Sequence, residues 1–233
     1  NSHSLKLKFD GNKLCMQCHE PTKYNVASHH KHEGFEDATQ CINCHMVGRT
    51  YMGNDYRRDH SFRIPRPDQS IKYDTPNACV QCHTDKTNEW AWQGFQKLYG
   101  QPDSIHFSDQ LAPGITGVPN AHEGLFDLVQ NEKQPDIARA SAVKALQNYN
   151  LQSRFDEFMA FLNDKSPLVR GATLDVLSQS NTTDFMSYLL PLLKDAKRSI
   201  RIKAYFALGE VPEANIPVTY ADAYKKAGKE FQS

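Results

Sequence analysis

From about residue 122 onward, apolar positions recur at helical spacing and also follow a longer period. Arg139, Arg170 and Arg201 fall 31 residues apart, and Ala138-Arg139-Ala140, Val169-Arg170-Gly171 and Ile200-Arg201-Ile202 align around them. Leu146, Leu177 and Leu208 keep the same interval, and the segments before them align as well: Phe158 with Leu189, Leu162 with Leu193, Asp164 with Asp195. A period of this length built from two amphipathic helices predicts an α-solenoid. Upstream, Trp90, Phe95, Leu98 and Tyr99 predict a helix over residues 86–99 that Gly100-Gln101-Pro102 stops. Residues 100–121, which contain Pro102, Pro113 and Pro119, read as a linker. Residues 1–85 show no sustained period. Turn signals recur there (Asp10-Gly11-Asn12, His32-Glu33-Gly34, Gly53-Asn54-Asp55, Thr75-Pro76-Asn77) and predict short helices joined by turns.

The repeat units resemble HEAT-like repeats in a short form whose second helix reads Arg-x-x-Ala-x-x-x-Leu. That resemblance implies helix pairs stacked into a superhelix. Within each unit the arginine follows an acidic turn, so Asp164 to Arg170 and Asp195 to Arg201 are the expected pairs, a column of contacts locking neighbouring repeats. Asp136, three residues before Arg139, departs from this turn pattern, as a terminal repeat does.

The N-terminal stretch is crowded with Asn, Asp, His, Lys, Arg and Pro and carries few aliphatic residues, too few to bury a core of its own. It also holds every cysteine of the chain, in three copies of one pattern: Cys15-Met-Gln-Cys18-His19, Cys41-Ile-Asn-Cys44-His45 and Cys79-Val-Gln-Cys82-His83. C-x-x-C-H is the attachment signal for c-type haem. The two thiols add to the porphyrin vinyls and the histidine becomes the proximal ligand of the iron. Paired C-x-x-C units can also make a Cys₄ zinc site, but zinc does not require the terminal histidine. Thioredoxin-like chemistry would need a βαβ setting that is not visible here. The expected cofactors are therefore three c-type haems, supplying the apolar surface that residues 1–85 lack. The fold class expected is mainly α: a haem-cored, loop-rich multihaem cytochrome domain (1–99), a linker (100–121) and a short HEAT-like α-solenoid (122–233).

Lys plus Arg and Asp plus Glu number 27 each among 233 residues, a formal net charge of zero. Two propionates per haem shift the assembled protein towards acidic, by about −1 per ferric and about −2 per ferrous bis-histidine group by charge counting. No polybasic run points to nucleic acid or an anionic membrane, and no apolar run is long enough to span a bilayer. Arg49, Arg57, Arg58, Arg63, Arg66 and Lys72 form a local basic group, read as partners of haem propionates or as a docking or anion-binding patch. No signal peptide is visible, and the first residue is Asn rather than Met. Attachment of haem to C-x-x-C-H takes place outside the cytoplasmic membrane in bacteria and archaea, so a periplasmic or extracellular, secreted protein is expected.

Ten histidines are present and three belong to the motifs. The others are His3, His29, His30, His32, His60, His106 and His122. Histidine is the commonest sixth ligand in multihaem proteins. His32 and His60, which lie between successive motifs, and His3, before the first, are the leading distal ligands; His30 and His29 are the reserves. Among methionines, Met46 follows a proximal histidine and points elsewhere, while Met52 remains a conceivable ligand.

Leu5-Lys6-Leu7-Lys8, Cys15 to His19, His29-His30-Lys31-His32, Cys44-His45-Met46, Thr50-Tyr51-Met52-Gly53, Arg57 through Asp68, and Thr75-Pro76-Asn77-Ala78-Cys79 with Thr84-Asp85-Lys86 together resemble multihaem cytochromes c of the doubled C-x-x-C-H class. Proteins of that class are often fused to tetratricopeptide or HEAT-like repeats and are distantly similar to pentahaem nitrite reductase-type cytochromes. The resemblance covers roughly residues 1–99 and implies bis-histidine haems packed as a chain for electron transfer. In relatives, a segment similar to His3-Ser4-Leu5-Lys6 follows a further C-x-x-C-H. The chain is then expected to be a fragment of a longer cytochrome or a form that dispenses with upstream haems.

Two functions follow. The first is electron transfer between redox protein partners, with no catalytic residue. The repeats then serve docking or assembly, and self-association through an N-terminal haem or through the repeats could build a filament. The alternative is an enzyme, a multihaem reductase or peroxidase with one open haem and an anion bound near Arg57–Arg66. Three ordinary motifs and a surplus of histidines favour the carrier.

Overall fold

The computed structural model describes residues 7–102, 106–179, 182–209 and 211–232. The chain divides into two compact units, residues 1–103 and 104–233.

Among the described residues of the first unit, seven α-helices are joined by turns and one 3₁₀ turn (Glu36–Thr39): α1 (Asn12–Cys15), α2 (Pro21–Tyr24), α3 (Ala27–His30), α4 (Cys41–His45), α5 (Pro67–Tyr73), α6 (Ala78–Cys82) and α7 (Asn88–Tyr99). Helix α7 starts where Thr87 accepts the amide of Trp90 at 3.2 Å and ends at Gly100, with φ 81°. This is the helix the aromatic spacing predicts. The basic segment adds something the sequence reading lacks, an antiparallel hairpin of β1 (Gly48–Tyr51) and β2 (Asp55–Arg58). Its turn uses left-handed Met52 and Gly53, and the Tyr56 ring lies over Gly48, where a Cβ would require that exposed side chain to move.

Among the described residues of this unit, the only buried hydrophobic side chains are Ala78 and Ala91. Leu7, Phe9, Phe35, Tyr51, Met52, Tyr56, Phe62, Ile64, Ile71, Trp90, Leu98 and Tyr99 are all exposed. Fixing a residue's backbone costs roughly 1–2 kcal/mol, and two buried alanines cannot offset that across such a stretch. The described residues of this unit form no apolar core of their own.

The second unit is the opposite case. It contains α8 (Ser108–Ile115), α9 (His122–Gln130), α10 (Asp136–Leu146), α11 (Phe155–Ala160), α12 (Pro167–Leu177), α13 (Met186–Leu189), α14 (Arg198–Ala207) and α15 (Val218–Gln232). Helix α10 packs on α9 and α12, α12 on α14, and α14 on α15, around one continuous apolar core. Leu146, Leu177 and Leu208 all lie inside it, with exposures of 0%, 4% and 0%. The first helices of the second and third repeats end in 3₁₀ turns, Phe161–Asn163 and Leu190–Lys194. These tighten the chain into Asp164 and Asp195, whose carboxylates accept the amides of Ser166 and Lys197 as Asx turns.

The stretch read as a linker contains helix α8, which packs on α9 and α10 in spite of Pro113 within it. Gly114 lets it approach closely, since a Cβ there would run into the buried Leu125 side chain. Tyr149 donates to the carbonyls of Gly114 and Val118 at 3.2 and 3.1 Å. Tertiary packing overrides the breaker composition.

The arginine column is present with different partners from those expected. Arg170 donates bidentately to Asp195 at 2.8 and 2.9 Å, Arg201 to Glu230 at 2.9 and 2.6 Å, and Arg139 to Asp164 at 2.5 Å. Asp164 and Asp195 offer the arginine that follows them only a backbone carbonyl, to Arg170 at 2.7 Å and to Arg201 at 2.8 Å. The Asx turn explains this: each carboxylate is held over its own helix start, facing the preceding repeat. The ion pairs therefore join one repeat to the next. Asp136 does reach Arg139, at 3.5 Å.

Candidate metal centre

The three C-x-x-C-H motifs share one local geometry. The amide of His19 bonds the carbonyl of Cys15 at 3.0 Å, that of His83 bonds Cys79 at 2.9 Å, and the second motif is itself helix α4. One helical turn places side chains three and four residues apart on the same face. Both thiols and the imidazole of a motif are thus presented together.

Specific side chains bring the motifs to one another. Asn12, in the helix of the first motif, donates to the Thr39 carbonyl at 2.8 Å and accepts the amide of Cys41 at 2.9 Å. Gln81, in the third, donates to the Gly48 carbonyl at 2.5 Å. Helix α4 touches both α1 and α6. Burial raises the pKa of Cys41, Cys44 and Cys79, and neighbouring thiols add to it: Cys15 beside Cys41, Cys82 beside Cys44, Cys44 beside Cys79. No two of the six cysteines are joined in a disulfide.

The imidazoles stand in pairs. The rings of His29 and His45 are 6.1 Å apart, centre to centre, with planes 14° apart; those of His32 and His83 are 6.3 Å apart, with planes 30° apart. His19 instead meets Tyr24 edge-on at 5.5 Å, and Tyr24 in turn meets His29. His45 donates its Nδ1 hydrogen to the Arg63 carbonyl at 2.9 Å, His32 to that of His30 at 2.6 Å, and His60 to that of Arg58 at 2.9 Å. A carbonyl can only accept, so Nδ1 carries the proton and Nε2 keeps its lone pair, the usual support of a metal-bound histidine. His30 is the reverse case, since its Nδ1 accepts the amide of His32 at 3.3 Å. Burial, then the proximity of His45, His30 and Lys31, lowers the pKa of His29.

His60 lies exposed on a turn where Asp59 accepts the Ser61 amide and Phe62 is left-handed. His3 falls outside the described residues. His106 donates to or accepts from Ser108 at 2.7 Å, and His122 lies 3.3 Å from Glu123; both belong to the second unit. Met52 is 97% exposed at the hairpin tip. Sequence order favoured His60 over His29; a backbone turn that no motif advertises sets the His29 ring near His45.

The basic group is engaged within the chain itself. Arg57 pairs with Asp55, Arg63 with Asp59, and Arg66 forks onto Asp68 at 2.8 and 2.6 Å. The Arg66 hydrogen bonds lower the Asp68 pKa despite partial burial. Arg58 caps the second motif, donating to the carbonyls of Ile42 and Met46 and to the Asn43 side chain. Arg49 lies over Tyr51. The expected anion-binding role thus competes with carboxylates and carbonyls already in place.

Among the described residues no three His, Cys, Asp or Glu side chains converge as ligands of one bare metal ion, and no helix is long and apolar enough to cross a membrane. At two of the three motifs a second imidazole stands about 6 Å from the motif histidine, beside two thiols, a donor set that would fit the iron of a covalently attached porphyrin.

Residues 123–212 match the HEAT-repeat family. No curated protein and no solved structure matches the chain.

Proposed function

We propose that residues 1–99 carry three covalently attached c-type haems. In this reading the protein passes electrons between redox protein partners in the periplasm or outside the cell, with the HEAT-like repeats as its docking or assembly surface. Cys15 and Cys18, Cys41 and Cys44, and Cys79 and Cys82 hold the groups, while His19, His45 and His83 each present one imidazole. A c-type haem supplies a one-electron iron couple whose potential is set by its axial ligands and burial.

The observation that carries the reading is a unit with two buried alanines for a core and three C-x-x-C-H turns brought side by side. The chain's own side chains do the rest. Asn12, Arg58 and Gln81 fix the motifs in place through backbone atoms, which sets Cys15 beside Cys41 and Cys44 beside Cys79 and Cys82. Stacked helix repeats commonly present protein-binding surfaces.

The test is the mass of the denatured, fully loaded protein, which is expected to exceed the polypeptide mass by three haems. Two or fewer at full occupancy would refute the proposal.

One observation favours the alternative enzyme with an open iron: His19 has Tyr24 beside it where His45 and His83 have a second imidazole. His60, with Nε2 unengaged by its carbonyl contact, and His3 are the ligands left for that position. Low-temperature EPR of the oxidised protein separates the readings. All-low-spin iron is expected for the carrier, and His60→Ala is then expected to convert one haem to high spin. A high-spin signal in the unaltered protein would favour the enzyme.

A further inference from the structure

We infer that one short segment, residues 26–32, supplies axial ligands to two irons: His29 opposite His45 at the second motif, and His32 opposite His83 at the third. This rests on the three-haem reading above and goes further by assigning residues to irons. With an iron–imidazole bond of about 2 Å and about 1.1 Å from ring nitrogen to ring centre, two imidazoles on one metal lie about 6 Å apart, centre to centre. The observed separations are 6.1 and 6.3 Å. A single such distance is an ordinary ring contact. Here two of them join different motif histidines to histidines three residues apart in one run.

The backbone explains how one run serves two sites. Helix α3 makes a single turn and is ended by Lys31 at φ 59°, ψ 22°, a left-handed conformation unfavourable for a non-glycine residue. That reversal separates the direction of His32 from that of His29. The same turn lets His32 donate its Nδ1 hydrogen to the His30 carbonyl, leaving Nε2 as the nitrogen that keeps its lone pair. His30 accepts the His32 amide on Nδ1, so its own proton sits on Nε2. It braces the turn and is not a third ligand.

Helix α7 fixes the segment from outside. The Tyr99 hydroxyl donates to the His29 carbonyl at 2.9 Å, across 70 residues of sequence, and the Lys31 ammonium lies over the Tyr99 ring. Trp90, from the same helix, contacts His83 at 4.8 Å. Tyr99 is thus a positioning residue for the His29 site.

The experiment uses the full-length haem-loaded protein, with EPR for spin state and denatured mass for haem count on every variant. His29→Gly and His32→Gly are each expected to convert one iron to high spin, and the double variant two, with low spin restored by added imidazole. In the His29→Gly background, Cys41→Ser with Cys44→Ser is expected to remove the high-spin signal, whereas Cys79→Ser with Cys82→Ser leaves it. His30→Ala is expected to keep all irons low spin. Tyr99→Phe is expected to keep three low-spin haems while shifting the g values and midpoint potential of one, with Tyr99→Trp failing to restore them. Unchanged spin state in both glycine variants with three haems present overturns the inference and leaves the haem reading standing, as does high spin in His30→Ala. Fewer than three haems in the unaltered protein overturns the reading itself.

Discussion

Replacing all six motif cysteines with serine is expected to unfold residues 7–102 while leaving residues 106–232 folded. The first unit buries two alanine side chains and exposes a dozen large apolar ones. The hairpin, the Asn12 staple and the Arg58 cap are hydrogen bonds, each worth about 1 kcal/mol net. They cannot offset a backbone entropy cost of roughly 1–2 kcal/mol per residue. The second unit carries the continuous core from Leu125 to Ala227 and no cysteine. Hydrogen exchange should therefore show fast amides throughout α1 to α7 and protected amides in α9, α10, α12 and α14. A fragment of residues 104–233, which keeps α8 on its partners, should be colourless, helical and cooperative in unfolding. Protected amides in α4 and α6 of the serine variant would show a polypeptide core that needs no cofactor.

Arg170→Ala is expected to destabilise that fragment by about 3 kcal/mol or more, the usual cost of leaving a buried carboxylate without its partner. Arg170 and Asp195 are 12% and 9% exposed, and Arg170 also satisfies the carbonyls of Asp164 and Lys165. For a domain of this size such a loss lowers Tm by about 10 °C. Arg170→Lys should lose less, since an ammonium keeps the charge but not the two parallel hydrogen bonds. The double variant Arg170→Ala with Asp195→Ala should recover part of the loss. Urea unfolding decides the matter. A change below about 1 kcal/mol would mean that the pair behaves as an exposed ion pair and contributes little to holding repeats together.

The interval of 31 residues was enough to locate the repeats and their inward leucines, because helical periodicity in sequence is the pattern of burial itself. The C-x-x-C-H spacing likewise defined a helical turn presenting two thiols and an imidazole on one face, as residues 41–45 form. Other features depended on the chain in three dimensions. Spacing allowed Asp195 to pair with Arg201, six residues on, or with Arg170, 25 back. The Asx turn at Asp195 aims the carboxylate backward, and only the stacked neighbour supplies the arginine there. Helix α8 forms across a proline-bearing stretch because Gly114 and Leu125 fit together, a contact between segments that local composition does not encode. The placement of His29 beside His45, with His60 on an exposed turn, follows from a left-handed Lys31 and from a tyrosine hydroxyl 70 residues away. Local pattern can reveal which residues have the chemistry of ligands. Which of them face one another is decided by backbone reversals and long-range hydrogen bonds, whose energies depend on partners distant in the chain.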